Sequence, residues 1–197
     1  MKKMKKILKI ISLFLFAINC NSQEIISMSS NYNSSNLTTG KYLKDVDNLY
    51  NPFIGTWGWT NSSGSSSFTI TLEKDEMFIK LPKLDFYIDR LVGRYAYINE
   101  GDTVVNTLSY PLSSEVPFEV WNIRLGDSYI DFSLKDIIKN KYCKGRLELI
   151  ETTSGTTTAV WKLFNYQRSL IRSNTSGEVP VTDATFSIPD NIVLTKL

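Results

Sequence analysis

The chain has 197 residues, 42% of them hydrophobic and 21% charged, which is the make-up of an ordinary globular protein and the length of one domain plus a further segment. It contains no histidine, which removes the commonest general base, the usual serine and cysteine triads and most transition-metal sites. Lys2, Lys3, Lys5, Lys6 and Lys9 account for the net charge of +2. Setting these five aside leaves 17 basic against 20 acidic residues, a slightly acidic remainder with no basic stripe, which argues against nucleic acid as a partner.

The five lysines precede an apolar run, Ile7 to Ile18, that is shorter than the ~20 residues needed to cross a bilayer core. Charged region, short apolar region and cleavage zone in that order make residues 1–20 an export signal. Two processing routes fit. Ala17-Ile18-Asn19-Cys20 reads as a lipobox in which Cys20 becomes the lipidated first residue, anchored by more than one acyl chain; Asn19 stands where Gly or Ala is preferred. Alternatively an ordinary signal peptidase reads Cys20-Asn21-Ser22 and leaves Gln23 first. The expected location is the cell envelope, attached to the membrane through Cys20, or periplasmic or secreted if Cys20 is unmodified. Cys143 is then the one remaining cysteine, so no intramolecular disulfide is expected. Lys141, Lys144 and Arg146 surround it in sequence, but a lone, partly buried thiol is the plainer reading.

Residues 21–48 are expected to form a flexible tether or loosely docked arm. Twelve of the twenty residues from Asn21 to Gly40 are Ser, Asn or Thr, too polar to repay the entropy of ordering them. Lys41 to Tyr50 has a weak apolar rhythm suited to a short turn of helix. Asp45, Asp47 and Asn48 lack the further ligands and the glycine of a calcium loop, so a solvated turn is expected there and no metal.

From residue 49 to 197 the pattern is that of a single β domain. Phe68, Ile70 and Leu72 alternate with Thr69, Thr71 and Glu73, and Lys74-Asp75 reads as a turn into Met77, Ile79 and Leu81. Leu91, Gly93, Tyr95 and Tyr97 share a face opposite Val92, Arg94, Ala96 and Ile98. Glu100-Gly101-Asp102, Gly126-Asp127 and Thr153-Ser154-Gly155 mark further turns, and Asn191 to Leu197 closes the chain. Alternation between such turns predicts successive hairpins, hence an all-β antiparallel meander. Leu134 to Lys141 is the one helix-like interruption. About nine strands must close or stack to protect their edges. A closed or nearly closed barrel is the first expectation and a two-sheet β-sandwich the alternative.

Phe53-Ile54-Gly55-Thr56-Trp57, at the start of the β domain, resembles the Phe-x-Gly-x-Trp opening of the lipocalin and fatty-acid-binding (calycin) barrels. That resemblance implies that Gly55 lets the backbone pass close beneath the barrel and that Trp57 plugs its bottom. It also implies an arginine over the Trp, for which Arg168 and Arg172 are candidates, while no Thr-Asp-Tyr-like second motif is found. The layout as a whole is similar to a family of small exported bacterial proteins of unknown function. That likeness rests on Asn51 to Trp57, on Lys139-Asn140-Lys141 and on the run from Phe186 to Lys196, and it implies an exported, lipidated β protein with no assigned catalytic residues.

The functional expectation is a non-catalytic barrel that binds a small apolar ligand, with Tyr95, Tyr97, Trp121, Phe132 and Trp161 as the candidate cavity lining and no cofactor. The first alternative is a lipid-anchored interaction protein that presents its outer face to a protein or glycan, with Trp59, Tyr87, Tyr110 and Tyr166 as candidate exposed aromatics. The second is a carboxylate-based hydrolase drawing on Glu119, Asp127, Asp131, Glu148 or Glu151, for which a suitable carboxylate separation would be required. No phosphate loop or nucleophile elbow is present, and no catalytic residue is assigned.

Overall fold

The computed structural model describes residues 23–30, 39–81, 86–111, 116–120, 123–150, 155–164 and 183–197. Eleven strands run through them: β1 Glu24–Ser27, β2 Lys41–Lys44, β3 Gly55–Thr60, β4 Ser67–Leu81, β5 Phe86–Asn99, β6 Asp102–Asn106, β7 Phe118–Val120, β8 Tyr129–Asp136, β9 Lys141–Ile150, β10 Thr158–Phe164 and β11 Ile192–Lys196. The described residues contain no helix.

Eight of the strands form a closed antiparallel barrel in the order β3-β4-β5-β7-β8-β9-β10-β11, with β11 returning to β3. Thr195 faces Gly58 and Lys196 faces Trp57 at that seam. The meander expected from the hairpin pattern is therefore the fold, and the two-sheet sandwich is not. The three outer strands all depend on β5, whose second edge is shared along its length. β2 pairs with it at Tyr87 and Ile88, β7 at Leu91 to Gly93, and β6 from Ala96 to Asn99, while β1 lies outside β2.

Local chemistry explains the elements. In β4 the side chains of Phe68, Ile70 and Leu72 are buried while Thr69 and Thr71 are half-buried, the alternation a pleated strand imposes. The β5–β6 hairpin turns through Glu100 (φ 52°) and Gly101 (φ 89°). Both central residues are left-handed, the geometry that suits the right-handed twist of paired strands.

Five expectations change. Residues 21–48 are not wholly a tether: β1 and β2 pair in parallel, and Met28, Tyr42 and Leu43 are buried, so a few apolar side chains dock a segment whose composition is polar. Lys41 to Lys44 is strand rather than helix. Asp45 is buried rather than solvated, and its carboxylate accepts the backbone N–H of Leu49 (2.7 Å) and Tyr50 (3.2 Å). Lys74-Asp75 lies in regular register within one fifteen-residue strand rather than in a turn, and the bulge follows it, the register shifting between Asp75 and Phe78 with Met77 at φ 53°. Leu134 to Lys141 holds the end of β8 and a tight turn with Asn140 at φ 46°.

Candidate functional site

The barrel interior is the first place to look. Trp57, Phe68, Tyr95, Phe118, Phe132 and Trp161 are all fully buried within one core. Phe132 lies 4.5 Å from Trp161 between ring centroids, Phe118 lies 4.6 Å from Phe132, and Phe68 lies 5.3 Å from Trp161. These are the distances of rings in direct contact. Two inward-facing glycines make room for them. Phe118 pairs across strands with Gly93, and Phe132 with Gly145. A Cβ on Gly145 would stand 2.2 Å from the Phe132 ring, and one on Gly93 would stand 2.6 Å from Leu72. The ring of each phenylalanine thus occupies the space a side chain on the opposite strand would fill.

The polar heads of these rings are bonded. Trp57 Nε1 donates to the Phe53 carbonyl (2.8 Å), Trp161 Nε1 donates to the Pro189 carbonyl (3.1 Å), and the Tyr95 hydroxyl donates to the Lys135 carbonyl (2.8 Å). Burial raises the Tyr95 phenol above its ordinary value. Of the candidate cavity residues, Tyr95, Phe132 and Trp161 are in this ring cluster or against it, and Tyr97 is half-buried with its hydroxyl on Asn99. Trp121 lies outside the described residues, as do Cys20, Arg168, Arg172, Tyr166 and Glu151. Of the candidate exposed aromatics, Trp59 and Tyr87 are half-buried, and Tyr110 is exposed.

Gly55 sits at φ 125° and faces Lys196, whose ammonium group donates to the Pro52 carbonyl (3.0 Å) and lies 5.4 Å from the centre of the Trp57 ring. A lysine of the last strand therefore stands over Trp57, where the sequence offered Arg168 or Arg172. At the other end of the barrel, buried Asp136 accepts the Ser187 N–H (2.7 Å), the Ser187 hydroxyl and the Lys139 N–H (3.1 Å). Lys139 binds Asp183 (2.6 Å) and Thr185, and with the Thr185 N–H and hydroxyl it holds the Asp183 carboxyl below its usual range. Lys141 bonds the Asp183 carbonyl (2.7 Å) and lies 4.8 Å over the Phe186 ring.

A second buried polar knot surrounds Asp89, which accepts the Tyr42 hydroxyl, the Asp45 N–H (3.0 Å) and the Met77 N–H (3.1 Å). Met77 adopts its left-handed backbone where its N–H makes this bond. Among the described residues no three His, Cys, Asp or Glu side chains converge as metal ligands. Cys143 is buried, its Sγ 3.4 Å from the Leu134 carbonyl, and burial pushes its thiol up to about 12 despite the neighbouring lysine.

The outer wall has an opening of a different kind. β7 and β8 share only two paired positions, Phe118 with Leu134 and Glu119 with Ser133. Beside that short ladder lies a groove of about 340 Å3, lined among others by Glu119, Arg124, Asp127, Tyr129, Asp131 and Lys144. Three of the carboxylates singled out from the sequence meet here. Two of them are already engaged: Glu119 by Arg90 (3.3 Å), which also binds Asp75 (2.9 Å), and Asp131 by both arms of Arg146 (2.7 and 3.0 Å). Arg146 also covers the face of Tyr129 at 3.8 Å. Lys144 reaches Ser133 (2.9 Å). Arg124 and Tyr129 were not singled out in the sequence, Lys144 was noted only for its nearness to Cys143, and the one local signal was the Gly126-Asp127 turn among outward-facing charges.

With this geometry in place, comparison with known proteins gives one result. The model of a family of unknown function, DUF6705, matches residues 4–197. The chain belongs to DUF6705. No curated protein and no solved structure matches it. The three stretches that carried the family resemblance are the ones that meet at the barrel ends in this DUF6705 member: Pro52 and Trp57 with Lys196, and Lys139 and Lys141 with the segment leading to Phe186 and Ser187.

Proposed function

We propose that this protein is an exported, non-catalytic β-barrel module that recognises a protein or glycan partner of the cell envelope with its outer surface, at the groove beside β7 and β8. One observation carries the reading: ring-to-ring contacts among Phe68, Phe118, Phe132 and Trp161 occupy the interior, so a small apolar ligand would have to displace packed core. The groove supplies what the interior lacks, namely solvent access and charged groups of both signs, beside the Tyr129 side chain. The pairing of Glu119 and Asp131 with arginines supports binding over hydrolysis, because both Asp131 oxygens and one of Glu119 are already engaged. Export and acylation at Cys20 complete the proposal, making the barrel a domain held at a membrane surface.

Titration with an apolar fluorescent probe tests the interior. Folded protein is expected to give no saturable signal. Stoichiometric binding weakened by Trp161→Ala would return the function to the barrel lumen and overturn the reading.

A further inference from the structure

Strand direction alternates around an antiparallel meander, so the ends of β4, β7 and β9, the starts of β3, β5, β8 and β10 and the C-terminal Leu197 all lie at one end, the Trp57 end. β1 belongs to that end too. It runs parallel to β2, which runs parallel to β5, and Glu24 pairs with Lys41 one position before the Tyr42–Tyr87 pair. The chain therefore arrives from the Trp57 end and runs along the barrel away from it. β1 is fixed there by the Met28 N–H on the Lys44 carbonyl (2.9 Å), by burial of the Met28 side chain, by the Lys41–Glu24 ion pair (3.3 Å) and by Ser27 and Ser29 on Asp47.

Asn21, Ser22 and Gln23 alone separate Cys20 from β1. Four steps of fully extended chain reach at most ~14 Å. Resting on the proposed acylation of Cys20, we infer that the Trp57 end of the barrel is held against the bilayer surface, with the lipid interface as its partner, and that no stalk separates them. The headgroup layer of one leaflet is itself ~5–8 Å thick, so little of that reach clears the membrane. The surface at this end suits the position. Ile25, Met77, Leu125, Ile150 and Leu197, from separate strands and connections, are all exposed, Leu125 at 70% and Leu197 at 79%. Single exposed aliphatics are ordinary on a protein surface. The opposite end exposes apolar side chains too, Ile138, Tyr142 and Phe164 among them, so it is the short link from Cys20 to β1 that decides which end meets the bilayer.

The test uses the full chain bound to phospholipid vesicles that carry a headgroup quencher, with acylation verified by intact mass. A fluorophore is placed at Leu125→Cys or Leu197→Cys, and at Ile138→Cys in the β8–β9 turn at the opposite end; Cys143 is buried and stays unlabelled. Quenching several-fold stronger at Leu125 and Leu197 than at Ile138 is expected. Inserting a twenty-residue Gly/Ser spacer between Ser22 and Gln23 is expected to abolish the difference while leaving acylation intact. Acylated protein quenched equally at both ends would overturn the inference and leave the anchor standing. Protein exported without acylation would overturn both.

Discussion

Gly145→Ala puts the packed interior to a direct test. The new methyl would stand 2.2 and 2.3 Å from two atoms of the Phe132 ring and 2.7 Å from the Lys162 carbonyl oxygen. The ring is held between Phe118 and Trp161, and the oxygen belongs to the β9–β10 ladder, so neither is free to retreat. Overpacking of this kind costs up to about 3 kcal/mol. Replacing glycine also narrows the unfolded ensemble, which returns about 0.4–1 kcal/mol. The net loss is about 2 kcal/mol, or a fall in Tm of about 4–8 °C for a chain of this length. Urea unfolding followed by tryptophan fluorescence measures it. Phe132→Leu in the same chain removes the ring but not the carbonyl clash, so the double variant should recover part of the loss through a coupling of about 1 kcal/mol. Gly93→Ala meets only side-chain atoms of Leu72 and Phe118 and should lose less. A Gly145→Ala protein within 0.5 kcal/mol of the parent, on the scale of an ordinary surface change, would show that the interior has slack and would revive the lumen as a binding site.

Two further outcomes follow from buried groups. The Cys143 thiol, pushed up to about 12 by burial against an unfolded value of 9.0, should resist a thiol reagent at pH 8 until denaturant is added. Because the folded state holds its proton more tightly, this contribution to stability is complete below pH 9 and is lost as pH rises from 9 toward 12; Cys143→Ala should flatten that part of a stability–pH curve, and an unchanged slope would refute the assignment. Asp136→Ala strands the half-buried Ser187 and Lys139 N–H groups and should cost about 1–3 kcal/mol by urea unfolding, with proteolysis near Ser187 increased; Ser187→Ala, which keeps its N–H bond, should lose less.

The barrel was legible because period-two alternation survives wherever one face of a strand is dry. Phe68, Ile70 and Leu72 in β4, and Leu91, Gly93 and Tyr95 in β5, announced their inward faces without help. What failed to show depended on partners distant in sequence. Met77 takes a left-handed backbone where its N–H meets Asp89, a dozen residues on, so Lys74-Asp75 looked like a turn. β1 and β2 hide in polar composition because two or three buried side chains, Met28 and Leu43 among them, suffice to dock them on a sheet that already exists. Gly93 and Gly145 read as ordinary strand glycines until Phe118 and Phe132 are seen across the ladder. The groove was half-visible. Its carboxylates stood out in the chain, but their arginine partners Arg90 and Arg146 come from β5 and β9, and only the folded sheet brings them into register.

The stretches that place this chain in its family and the residues proposed to give it a use occupy different parts of the molecule. Asn51 to Trp57, Lys139 to Lys141 and Phe186 to Lys196 fasten the two barrel ends, through Lys196 on Pro52 and Trp57 and through the Lys139–Asp183 and Asp136–Ser187 bonds. None of the groove side chains belongs to these stretches. Changes within the fastenings should therefore lower stability and binding together, through the fraction of folded protein. Changes at Arg124 or Asp127, which line the groove in the β7–β8 connection, should alter recognition at unchanged stability. A groove variant that unfolds the barrel as readily as a fastening variant would mean that this wall is part of the scaffold, and the recognition surface would then have to lie elsewhere on the outer face.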